Sequence, residues 1–128
     1  MEQKVPKDFF NGVISANEYP DIQELLCASD VGITDYSSWI CDYVLTRKPG
    51  FLYTPDIEYY DRERGFYYPL ETTPFGASTT QEALFKRISK FNQDKYNEEV
   101  EQFLKDRGCF EKGNASKKTV EKIKEIIG

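Results

Sequence analysis

The chain has 128 residues and a mass of 14.9 kDa; 39% of the residues are hydrophobic, 15% aromatic and 30% charged. That length sets one ordinary domain, and nine Phe with nine Tyr supply apolar area for a real core, which excludes a disordered chain. A net charge of −5 and a pI near 4.8 argue against a general nucleic-acid binder, although backbone N–H groups can still hold an anion locally.

The first ten residues, MEQKVPKDFF, contain no apolar run of signal-peptide length, and no window approaches the ~20 apolar residues of a membrane span. Gly12–Ala16 reads as a short first strand. Asp21-x-x-Glu24 after Pro20 is an acidic capping signature, and Ile22, Leu25 and Leu26 carry the apolar spacing of a helix over Ile22–Ala28. Val31–Thr34 is a second strand and Ser38–Leu45 a second helix, broken by Arg47-Lys48-Pro49 before a third strand, Gly50–Thr54. Strands and helices alternating at these lengths imply βαβ units, a parallel sheet and right-handed crossovers. Asp56–Thr79 keeps no period and reads as a long aromatic-rich loop, with Phe66–Leu70 as the place where a fourth strand would thicken a thin sheet. Thr79-x-x-Glu82 is a capping box for a helix with Leu84, Ile88 and Phe91 on its buried face. Asn92-Gln93-Asp94 interrupts it, and Tyr96, Val100, Phe103 and Leu104 line the next helix as far as Gly108. A last helix from Asn114 is expected to bury Val120, Ile123, Ile126 and Ile127. The expectation is therefore one α/β domain, with its core over residues 10–75 and C-terminal helices over 76–128.

Three cysteines, Cys27, Cys41 and Cys109, match no zinc spacing. Cys27 and Cys41 fall in apolar segments and read as buried free thiols of a reducing, cytoplasmic protein. The chain has no histidine, the usual general base and commonest metal ligand. Its chemistry instead gathers at Thr34-Asp35-Tyr36-Ser37-Ser38, where a strand hands over to a helix. In an open α/β sheet ligands bind beyond the carboxyl ends of the strands, so these residues stand where an anion binds. Ser37 and Ser38 can donate to phosphate oxygens without adding charge. Thr34 and Asp35 can orient the turn or meet a ligand hydroxyl, and Asp42, four residues after Ser38, can accept from a diol. The plainer reading makes a serine the N-cap, Asp35 a turn residue and Asp42 a solvated carboxylate. Spacing alone leaves both open and leans toward the cap. The second cluster follows the third strand. Asp56, Glu58, Asp61 and Glu63 are candidate sugar or metal contacts, Arg62 and Arg64 candidate phosphate partners, and Tyr59, Tyr60, Phe66, Tyr67 and Tyr68 candidate stacking surfaces for a base. Its plainer reading is an aromatic loop packed over the sheet edge, and its acid spacing is not specific for a metal.

Taken together, PDIQELLCASDVGITDYSSWICDYVLTRKPGFLYTPDIEYYDRERGFYY resembles the C-terminal part of the CDP-glycerol glycerophosphotransferase family, the teichoic-acid primases and polymerases of bacteria. The resemblance rests on Asp21, Glu24-Leu25-Leu26, Ser29-Asp30-Val31, Ile33–Ser38, Asp42-Tyr43, Pro49, Asp56, Tyr60, Arg64–Tyr67 and the later Gly113–Ser116, and runs from about Asn11 to the end. It implies a GT-B fold of two Rossmann-like domains, this chain being the three-layer, nucleotide-binding half of a longer transferase. It further implies that Ser37, Ser38 and Thr34 contact the diphosphate of CDP-glycerol. Asp35, Tyr36, Asp42, Asp56, Asp61 and Arg64 would shape the pocket or touch ribose or glycerol. No metal, cofactor or nucleic-acid partner is implied, and the other partner would be the N-terminal part of the same enzyme. The setting would be cytoplasmic, with peripheral attachment to the membrane through other segments. Three departures stand out. The family pattern carries histidines in the preceding domain and in an HP segment just upstream of Gly12–Ala16, whereas this chain has none. Gly32 replaces a larger apolar residue, and Trp39 a smaller one. Without those histidines the chain alone would not turn over. Two other readings remain: a transferase half for another nucleotide-linked donor, and a non-catalytic α/β interaction module.

Overall fold

A computed structural model describes residues 12–128, so expectations for the first ten residues, and for the starts of the domain and of the resemblance at residues 10 and 11, lie outside it. The centre is a three-stranded parallel sheet in the order β1-β2-β3: β1 Gly32–Thr34, β2 Gly50–Tyr53 and β3 Ala77–Ser78. Gly32 pairs with Gly50, Ile33 with Phe51 and Thr34 with Leu52; Leu52 pairs with Ala77 and Tyr53 with Ser78. Paired residues share a face, so Gly32, Thr34, Gly50 and Leu52 look one way and Ile33, Phe51 and Tyr53 the other.

The first face is covered by α2 (Trp39–Tyr43) and α5 (Gln93–Asp106). Ile40 and Val44 meet Leu52, Phe75, Tyr96, Val100 and Phe103 there in one buried cluster. Each such side chain contributes roughly 1.5–3 kcal/mol by leaving water. Tyr96, Val100 and Phe103 recur at the spacing of one helical face, which is why α5 packs along its length. α4 (Gln81–Ser89) packs against β2 and β3, with Leu84 buried. α1 (Ile22–Ala28) is tied on through its C-terminal end: Lys48 Nζ donates to the carbonyls of Cys27 and Ser29 at 2.6 and 2.9 Å. Asp21 caps α1 by accepting the Gln23 N–H at 2.8 Å, as its sequence signature requires.

Several expectations fail for identifiable reasons. Gly12–Ala16 forms no strand, because among the described residues no strand pairs with it, and Ile14 is 92% exposed. Phe66–Leu70 is also not a strand, and the third strand is instead Ala77–Ser78, too short to show a period of two. Ser38–Leu45 is a five-residue helix that tightens into a 3-10 turn over Val44–Thr46 and stops at Arg47, whose φ of 62° ends the helix before Pro49. The loop after β2 contains a helix, α3 (Ile57–Arg64), closed by Gly65 at φ 69°. The cap of α4 is Thr80 rather than Thr79; its hydroxyl accepts the Ala83 N–H at 3.2 Å. The last helix, α6 (Ala115–Ile127), forms where expected but buries nothing, and Ile126 and Ile127 are about three-quarters exposed. Cys27 is exposed and Cys41 and Cys109 half-buried, so the buried-thiol expectation fails for Cys27 and is met only in part by Cys41. No described helix is long and apolar enough to cross a membrane.

Candidate functional site

β1 and β2 are adjacent and parallel, so the segments leaving their carboxyl ends lie side by side. Thr34 ends β1 half-buried, and Asp35 turns the chain by accepting the N–H of Tyr36 on its own carboxylate at 2.6 Å. Tyr36 then crosses to the loop after β2. Its hydroxyl donates to Asp56 Oδ1 at 2.8 Å, and its ring stacks on Tyr60 of α3 with centroids 3.7 Å apart and planes 14° apart. Phe66 extends the stack at 5.5 Å from Tyr60, and the Arg64 guanidinium lies 5.8 Å over the Tyr60 ring. Burial, then the Asp56 hydrogen bond, push the Tyr36 phenol well above the usual tyrosine range. The two sequence clusters are thus one aromatic wall.

That wall closes one side of a cavity of about 220 Å³. Ser37 and Ser38 line it, with Asp35, Cys41 and Tyr68, and Leu52 and Phe75 form its apolar floor. Ser38 occupies the N-cap position of α2, yet its side chain makes no capping hydrogen bond. The physical reason is its backbone, φ −66° and ψ −14°, which is helical, whereas a capping residue is extended. Its carbonyl alone serves the helix, accepting from Cys41 N at 2.9 Å. α2 has only five residues, so its dipole is small, and the serine hydroxyls are the main donors on this side.

The remaining sequence candidates fall at or beyond the rim. Asp42 is exposed on α2 and does not line the cavity. Asp56 is occupied by Tyr36, Arg64 is exposed above Tyr60, and Asp61 faces a separate recess between α3 and Phe66–Glu71. Among the described residues no three metal-ligating side chains come together, and no Lys or Arg lines the cavity. Cys41, in α2 just past the two serines, also lines the cavity and was not among the sequence candidates. Its Sγ is 3.6 Å from the Tyr68 hydroxyl, whose pKa is raised by burial and by this contact. Arg107 holds the Tyr68 ring from outside, 4.1 Å from its centroid and 3.8 Å from that of Phe103.

Residues 2–125 match the family model of CDP-glycerol:poly(glycerophosphate) glycerophosphotransferase. A teichoic acid poly(glycerol phosphate) polymerase of Bacillus spizizenii is 41% identical over 110 residues, 84% of this chain and 28% of that protein. A teichoic acid ribitol-phosphate primase of the same organism is 37% identical over 93 residues, 63% of this chain and 24% of that protein. The solved structure of the wall teichoic acid polymerase TagF superposes with a TM-score of 0.75 at 30% identity, over 96% of this chain and 31% of TagF. The chain therefore spans less than a third of these relatives, and its mixed α/β architecture matches part of TagF, a GT-B glycosyltransferase. On the family match, the identities and the superposition together, the chain belongs to the CDP-glycerol:poly(glycerophosphate) glycerophosphotransferase family of teichoic acid synthesis.

Proposed function

We propose that this chain is the donor-diphosphate part of a CDP-glycerol-dependent glycerophosphotransferase, with Ser37 and Ser38 as the phosphate donors. The observation that carries this reading is Ser38, a helix-start serine whose hydroxyl is not spent on the cap and which lines a cavity. The stretch Ile33–Ser38, which carries the family resemblance, supports it. Thr34 and Asp35 orient the turn, and Tyr36 holds the wall against Tyr60. Asp56 keeps Tyr36 in place, while Arg64, Asp61 and Asp42 stand outside the cavity and carry no diphosphate contact in this reading.

In the reaction an acceptor hydroxyl attacks the β-phosphate of CDP-glycerol. A new P–O bond forms, the bridging P–O bond breaks, and CMP leaves. The hydroxyl proton must pass to a base. This chain contains no histidine, the commonest general base, and the reading assigns that base to the rest of a relative-length enzyme. No cation lines the cavity, so neutral donors hold the diphosphate here and its charge is met by groups elsewhere in the enzyme. The setting is the cytoplasmic face of the membrane, with attachment through other segments. Titration with CDP-glycerol, followed by amide NMR, tests this. Amides of Thr34–Asp42 shift at millimolar ligand, and the pair Ser37→Ala, Ser38→Ala abolishes the shift; amides that stay put refute the site. The ribitol-phosphate relative supports a second reading, a nucleotide-linked ribitol donor, which direct competition between the two donors separates.

A further inference from the structure

A second cavity, an open recess of about 450 Å³, lies against α4 and the first turns of α5. Its floor is aromatic: Phe51, Phe75, Phe91 and Tyr96. Its rim is cationic. Lys86 and Arg87 stand in the last turn of α4 and Lys90 is its C-cap, at i, i+1 and i+4, on the side of Ala83, whose small side chain leaves the recess open. Lys95 faces them from α5. Four cations meet one lining carboxylate, Glu99, which lies 3.5 Å from Lys95. Among the described residues Lys86, Arg87 and Lys90 form no ion pair. Arg87 is placed deliberately. A Cβ on Gly76 would fall 2.2 Å from its Nη1, so only glycine lets the guanidinium lie against the start of β3. There Nη2 reaches the Ala77 carbonyl at 3.5 Å and leaves the other N–H groups of the fork unengaged by it.

Unpaired like charges at this spacing repel, an unfavourable contribution that the C-terminal end of α4 offsets. In a chain of net charge −5 they are a local concentration rather than a general basic surface. Apolar walls strengthen their field within the recess. We propose that this recess binds the phosphodiesters of a glycerophosphate polymer, holding the acceptor chain beside the donor cavity. Phe75, 2% exposed, lines both cavities, the first floored by Leu52 and the second by Phe51. Lys86 and Lys90 are about 6 Å apart along the helix axis, the scale of one three-carbon link between phosphates. A membrane surface fits less well. The site is concave, and the exposed apolar residue of α4, Phe85, stands about 150° around the helix from the centre of the cationic face. The choice of polymer rests on the glycerophosphate chemistry proposed above; the recess itself does not.

The test uses this chain and a defined oligomer of phosphodiester-linked glycerol. Amides from Arg87 to Lys95 shift on titration, and affinity falls steeply with salt. The triple variant Lys86→Gln, Arg87→Gln, Lys90→Gln, checked for unchanged far-UV circular dichroism, loses about tenfold or more in affinity. The single variant Lys90→Gln loses about threefold. Oligomer binding that is absent, that shifts other amides, or that survives the triple substitution overturns the proposal. So does tighter binding to phosphatidylglycerol vesicles than to the oligomer at equal phosphate. CDP-glycerol shifts at Thr34–Asp42 are read on the same samples. If they are missing while the oligomer still binds, the donor site fails and the recess stands.

Discussion

Replacing Ser38 by alanine separates a capping serine from a ligand-binding one, because the same chain contains true caps for comparison. Thr80 accepts the Ala83 N–H at 3.2 Å and Asn92 accepts the Lys95 N–H at 2.9 Å, both from extended backbone. Removing such a cap costs about 1 kcal/mol. Ser38 accepts nothing at its helix start and its side chain is exposed, so it has no such bond to lose. Alanine is also the better helix former by a few tenths of a kcal/mol. Ser38→Ala is therefore expected within about 0.5 kcal/mol of wild type, whereas Thr80→Ala loses about 1 kcal/mol, or roughly 4 °C in Tm for a domain of this size. Urea unfolding followed by far-UV circular dichroism, with equal m-values, measures both. A cost for Ser38→Ala equal to that for Thr80→Ala would show that the hydroxyl caps α2 in solution. The site reading would then lose the observation on which it rests.

Three further substitutions probe the fold around the site. A Cβ at Gly32 would meet Tyr43 Cε1 at 2.8 Å and Trp39 Cη2 at 3.1 Å, and Tyr43 is fully buried with its hydroxyl donating to the Ser29 carbonyl at 3.3 Å. Gly32→Ala should cost about 1–2 kcal/mol after its gain in backbone entropy, and less in a Trp39→Leu background; equal costs in the two backgrounds, measured by urea unfolding, would refute the coupling. Thr54 is fully buried with an Oγ1 that lacks a partner, so Thr54→Val should stabilise by about 1 kcal/mol in a calorimetric melt, and a loss of that size would mean that the hydroxyl is bonded. The Tyr36 pKa is raised above its ordinary 10.0, so its contribution is complete below pH 10 and is lost as pH climbs through the higher folded value. Absorbance titration should show that Tyr36→Phe removes a late-ionising tyrosine; loss of an ordinary one would contradict the Asp56 contact.

α1 and α5 were legible because an acidic or amide cap and an apolar face agree on where each begins. α3 was not, since it buries no residue and shows no apolar period. Its one local signal is charge order, with Asp56 and Glu58 at the start, Arg62 and Arg64 in the last turn, and Gly65 as the stop. For α6 the pattern revealed an apolar face, but a pattern does not state what covers it. The Ser37–Ser38 cluster was legible as a candidate site, while its structural neighbours were not. Tyr36 meets Tyr60 and Asp56 only because β1 pairs with β2, a tertiary event 20 residues or more along the chain. Cys41 was hidden by its apolar neighbours, although it lines the cavity.

The packing of Gly32 under Trp39 and Tyr43 has an evolutionary consequence. A bulky residue at position 32 and an indole at position 39 compete for one volume, so neither can be exchanged alone at little cost. A lineage that shrinks position 39 first passes through an underpacked intermediate. Taking the steps in reverse crosses an overpacked one. Each intermediate costs on the order of 1–3 kcal/mol, a large share of a single domain's stability, so exchange between the two arrangements is a coupled change of both positions.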